Sequence, residues 1–215
     1  MQKITEKYQN ILSINEINTL LKINNKSILF FDLDGTLVDT DYANFLSYNK
    51  AIQKVINPNY NLIYDINKRF TRQTIKETFP NINETNLIKI IEQKNILYHN
   101  YLVKTKLNSF IVEILEKYYK TNIIVLVTHS HKDRAVMILK HHMIFDKFTY
   151  KFYKQNINGE RVNKFQYVLT YLNVNSNSIF LFENEFLEIE NAIISGIPIE
   201  NIINVKLITT RKLYL

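Results

Sequence analysis

The 215-residue sequence has no cysteine, which excludes disulfides and thiolate chemistry. No apolar run is long enough to span a membrane. The N-terminus, MQKITEKYQNILSINEINTLL, is amphipathic and lacks the continuous apolar stretch of a signal peptide. These absences point to a soluble, cytoplasmic protein. Glycine is scarce, with three residues in all, which draws attention to the one at position 35. There is also no dense arginine block. The net charge of +7 is spread along the chain and describes a solvated basic surface that helps anionic partners without implying nucleic acid. KFTYKFYK, residues 147–154, alternates bases with aromatics, but period two reads as an edge strand before it reads as a single-strand binder.

Hydrophobic residues make up 46% of the chain, enough for a real core. SILFF (27–31), NIIVLVT (122–128) and SIFLFE (178–183) are short continuous apolar runs, as expected for strands buried on both faces. Helical patterns such as SFIVEILEKYYK and KDRAVMILKHH lie between them, which implies a parallel sheet of crossover units. Two short helices are expected before the first strand. Ser13-x-x-Glu16 reads as a capping box for the second, with Ile14, Ile17, Leu20 and Leu21 as its apolar stripe. Between the first and second strands, about 80 residues show only helical periodicity, broken at Pro58 and Pro80; that is too long for one crossover. The expectation is therefore an α/β fold: a core of 27–41 and 107–215, an inserted helical lobe over 42–106, and an N-terminal helical extension over 1–26.

Each buried run ends in polar residues: Asp32, Thr128, and Glu183 with Asn184. Open parallel sheets bind ligands at the carboxyl ends of their strands. Asp32 and Asp34 are two positions apart and would share a side if the chain stays extended. Gly35 permits a tight turn with backbone amides near a ligand. Paired carboxylates repel one another, and a hard cation such as Mg²⁺ resolves that repulsion.

FFDLDGTLVDT (30–40) resembles the first motif of the haloacid dehalogenase superfamily, Asp-x-Asp-Gly-Thr. IIVLVTHS resembles the second motif, ending at Thr128. GERVNKFQYVLTYLNV resembles the third, with Lys164. IFLFENEFLEIENAIISGIP resembles the fourth, with Gly196 near its end. The insertion falls where the family carries a C1 cap, and TRQTIKETFP and EQKNILYHNYL are similar to cap segments of the β-phosphoglucomutase-like branch.

The resemblance implies a Rossmann-like core with an all-helical cap and phosphoryl transfer through an aspartyl phosphate. Asp32 is then the nucleophile, and Asp34 the acid and base. Thr128, Lys164 and Gly35 bind phosphate. Asp32, the Asp34 carbonyl, Glu183 and Asn184 surround Mg²⁺, and Arg72 is the cap contact to substrate. An aspartate at position 34 separates phosphatases of this superfamily from its dehalogenases.

The departures are Phe165, where the family has a proline, and Asn184, where it has a metal-binding aspartate. An amide there loses a charge, which Glu183 could replace directly and Glu188 from further out. The expected activity is Mg²⁺-dependent hydrolysis of small phosphorylated metabolites. The alternatives are a phosphotyrosine protein phosphatase, a phosphomutase, and a binding module whose active site has decayed.

Overall fold

A computed structural model describes residues 1–157 and 160–208. Gly159, which opens the third motif segment, and residues 209–215 of the expected core lie outside the described residues. The chain forms two compact units, residues 1–38 with 107–215, and residues 39–106.

The first unit holds a five-stranded sheet of β1 (Ile28–Phe31), β4 (Ile123–Val127), β5 (Tyr150–Phe152), β8 (Ile179–Glu183) and β9 (Ile202–Asn204), in the order β5-β4-β1-β8-β9 with every pairing parallel. Short pairs accompany it: β2 (Val38–Asp39) with β3 (Lys106–Leu107), and β6 (Asn156–Ile157) with β7 (Glu160–Arg161). Helices α1 (Gln2–Lys7), α2 (Ile14–Lys22), α6 (Ser109–Tyr118), α7 (Lys132–His141), α8 (Lys164–Leu172) and α9 (Phe186–Ile194) complete the unit.

The three expected strands are the central ones, and KFTYKFYK supplies the edge strand β5. In the register, Phe31 lies level with Leu126 and with Phe182. Alternation puts Ile28 and Phe30, Val125 and Val127, and Ile179 and Leu181 on one face, where they pack with Phe165, Val168 and Leu169 of α8 and Ala192 of α9. Phe31 and Phe182 are neighbours on the other face, their rings stacked at 4.7 Å. The three central strands are apolar as far as Glu183 because both faces are covered.

Residues 1–26 belong to this unit. Lys7 and the Tyr8 hydroxyl bond Glu113, and the Asn122 amide donates to the carbonyls of Asn24 and Ser27. The Ser13–Glu16 capping box forms as expected. The apolar stripe of α2 forms in part: Leu20 is fully buried and Ile17 half-buried, while Ile14 and Leu21 are exposed. Glu16 and Thr19 are buried beside Leu20, Glu16 bonding the Ser13 N–H and Thr19 the Glu200 carbonyl at 2.9 Å.

The second unit contains α3 (Asp41–Val55), α4 (Arg72–Thr78), α5 (Glu84–Leu97) and a 3₁₀ segment, Tyr98–Lys104. Thr71 and Asn83 cap α4 and α5, while Pro58 and Pro80 follow the ends of α3 and α4. Phe45, Tyr48, Ile52, Ile75, Leu87 and Ile90 form a core of its own. Arg72 is exposed at the first position of α4.

Candidate active site

Strand parity decides which carboxylates meet. Asp32 follows Ile28 and Phe30 on the face that packs on α8, and Glu183 follows Ile179 and Leu181 on the same face. Lys164 is the first residue of α8. Asn163 fixes that start, its side chain accepting from the N–H groups of Phe165 and Gln166. The Lys164 ammonium therefore sits between the two strand ends, 2.8 Å from Asp32 Oδ1 and 2.7 Å from Glu183 Oε2. Phe165, at the place of the family proline, is fully buried in the core behind it.

Beyond Asp32 the chain turns. The Asp32 N–H still donates to the Phe182 carbonyl, and the Gly35 N–H donates to the Val38 carbonyl at 2.8 Å. Gly35 has φ +82°, in the left-handed region. Asp34 meets different partners from Asp32. It accepts from the Ser130 hydroxyl and from both terminal nitrogens of Arg134, the Nη1 bond being 3.0 Å. Arg134 Nη1 also bonds Ser130 Oγ at 2.6 Å. Thr128, buried at the end of β4, accepts from the Ser130 N–H. Next to it, His129 Nε2 lies 3.2 Å from the buried Glu188, whose carboxylate is 4.0 Å from Lys164.

The structure thus brings together Asp32, Lys164 and Glu183, and sets Asn184, just past β8, against the turn that carries Asp34 and Gly35. Ser130 and Arg134 were missed in the sequence, where nothing local ties them to Asp34, 96 and 100 positions earlier.

Burial pushes Asp32 up from the ordinary carboxylate range; Lys164 opposes this, and Asp34 and Glu185 add to it. Burial and then Asp32 push Glu183 up to about 8, against Lys164 and the Glu185 N–H. Burial works against the charge on Lys164, but Asp32 and Glu183 outweigh it and raise its pKa. Negative charge is therefore in surplus at this edge of the sheet.

That surplus bears on a metal. Both Glu183 oxygens are engaged, Oε2 by Lys164 and Oε1 by the N–H groups of Asn184 and Glu185. The Asn184 amide meets Thr36 Oγ1 at 3.0 Å. With its nitrogen on that side, it also donates to the Asp34 carbonyl at 3.0 Å. Among the described residues, no group of three His, Cys, Asp or Glu side chains is gathered to hold a metal. The oxygens of Asp32, the Asp34 carbonyl and the Asn184 amide, if it turns over, still fit Mg²⁺, which takes one or two carboxylates and keeps several waters.

A parallel sheet with a lysine-bridged carboxylate pair at its carboxyl edge defines an α/β protein whose polar groups collect where such sheets bind ligands. The family model described as haloacid dehalogenase-like hydrolase matches residues 29–201, and the chain belongs to that family. Solved structures agree with the fold. One, described as a candidate phosphatase from Clostridium difficile, is 25% identical with a TM-score of 0.64, covering 81% of this chain and 84% of that one. A candidate phosphoglycolate phosphatase from Haemophilus somnus is 20% identical with a TM-score of 0.66, covering 81% and 84%. A candidate β-phosphoglucomutase from Thermotoga maritima is 19% identical with a TM-score of 0.60, covering 88% and 100%. No curated protein matches the sequence. Among the described residues, no helix is long and apolar enough to cross a membrane.

Proposed function

We propose that the chain is a Mg²⁺-dependent phosphatase of small phosphate monoesters that works through a phosphoaspartate on Asp32. The observation that carries this reading is the Lys164 ammonium bonded to Asp32, with Asp34 two residues further along the same turn.

Asp32 offers the oxygen that Lys164 does not hold to the phosphorus atom. An O–P bond forms, and the bond to the ester oxygen breaks. Asp34 delivers a proton to that oxygen. It then takes one from the water that attacks phosphorus and frees phosphate, which restores Asp32. Lys164 offsets the charge brought together when a carboxylate approaches a phosphate anion. The Thr128 hydroxyl and the amides beside Gly35, whose own N–H is held by the Val38 carbonyl, hold the phosphoryl oxygens. Mg²⁺, held by Asp32, the Asp34 carbonyl and Asn184, supplies further charge neutralisation when bound.

We infer that residues 39–106 are the cap, from their place between β1 and α6, and that Arg72 is its candidate contact to substrate. The phosphoglycolate phosphatase description of one neighbour favours a small metabolite over a phosphoprotein.

The test is phosphate release from sugar phosphates, phosphoglycolate, nucleotides and phosphotyrosine peptides, with and without Mg²⁺, beside Asp32→Asn. Release that needs the metal and is lost in the variant supports the proposal. Release that survives Asp32→Asn refutes the phosphoaspartate. Isomerised sugar phosphates without free phosphate would make the protein a mutase.

A further inference from the structure

We propose that Arg134 is a positioning residue that acts through Asp34. The inference rests on the phosphatase reading, in which Asp34 moves the protons. The geometry is specific. Arg134 is the third residue of α7, and its guanidinium places one terminal nitrogen on each Asp34 oxygen, a two-pronged contact that a lysine cannot make. Ser130, four residues earlier, gives its hydroxyl to Asp34 and accepts from Arg134, which closes a three-membered network. Asp34 and Ser130 are both buried, so the bonds act in a poorly screened setting.

A short carboxylate just past the end of a strand has two χ angles to lose. The fork removes that freedom and fixes the plane of the carboxylate relative to the nucleophile two residues away. Both Arg134 terminal nitrogens bond Asp34, which assigns the arginine to aligning that carboxylate.

The experiment measures kcat and KM on the best monoester of the panel above for wild type, Arg134→Gln, Arg134→Lys, Ser130→Ala, Asp34→Asn and the Asp34→Asn/Arg134→Gln double variant. Inhibition by inorganic phosphate is measured in each. Arg134→Gln is expected to lower kcat about 100-fold, toward the share typical of a positioned acid–base group, with KM and phosphate inhibition within about 3-fold of wild type. Arg134→Lys should recover part of the loss, and Ser130→Ala should lose about 10-fold. In the Asp34→Asn background, Arg134→Gln should have no further effect.

A loss that persists in that background, or that appears in KM and phosphate inhibition, overturns the proposal in favour of a direct phosphate contact or a purely structural role. Unchanged kcat overturns it as well. Should Arg134→Gln fail to fold, Arg134→Lys and Ser130→Ala carry the same comparison. A wild-type protein without release overturns the phosphatase reading, and this inference with it.

Discussion

Replacing Gly35 with alanine tests the geometry of the turn without relying on any assay of activity. The residue has φ +82°, and a Cβ there would lie 2.5 Å from the amide end of Asn184 and 3.0 Å from its Cγ. Two costs follow. A left-handed backbone with a side chain costs about 1–2 kcal/mol. Pushing Asn184 aside breaks its contacts with Thr36 and the Asp34 carbonyl, an overpacking cost of roughly 1–3 kcal/mol. Gly35→Ala should therefore lose about 2–5 kcal/mol in total. Asn184→Ala removes the obstacle but not the backbone strain, so Gly35→Ala made in that background should cost only about 1–2 kcal/mol. Urea unfolding of the four proteins in chelator gives the coupling energy directly, expected at about 1–3 kcal/mol. Coupling below about 0.5 kcal/mol would mean that the two residues do not compete for space, and the reasoning would be wrong.

Lys164→Met should lose about 3–5 kcal/mol, because it leaves Asp32 and Glu183 buried without their cation. For a chain of this size that is a fall of roughly 10 °C in Tm, and a fall under roughly 2 °C by calorimetry would count against a buried bridge. Metal-free stability should decline as pH rises. Glu183 has a folded pKa of about 8 against an ordinary 4.5, so between those values the native state holds a proton that the unfolded chain has released. The full effect is at most about 5 kcal/mol, at about 1.4 kcal/mol for each pH unit. Denaturant midpoints that stay flat or rise from pH 5 to 8 in chelator would refute it. Asn184→Asp restores a charge near the Asp34 carbonyl. It should tighten Mg²⁺ binding in titration calorimetry at least about tenfold, since a unit charge at ~4 Å is worth about 4 kcal/mol before desolvation. Unchanged or weaker binding would remove Asn184 from the metal set.

Much of this was legible along the chain because it is local. Continuous apolar runs reveal strands that are covered on both sides, and their polar ends mark the carboxyl edge of a parallel sheet. FFDLDGTLVDT and the three later segments that resemble family motifs in the same order pointed to the family to which the chain belongs. A helical insertion could be read because no strand pattern interrupts it.

What the tertiary structure alone decided concerns pairing across the sheet. The register and parity of β1 and β8 bring Asp32 and Glu183 to one ammonium, with the other Glu183 oxygen held by the N–H groups of Asn184 and Glu185. The turn after β1 sends Asp34 away from Lys164 to Ser130 and Arg134, nearly one hundred positions later in the chain. On α2 the apolar period marked Leu20 and Ile17, but not the burial of Glu16 and Thr19 through polar bonds. Periodicity records which residues prefer to leave water. Which charges then meet depends on distances that exist only once the strands are in register.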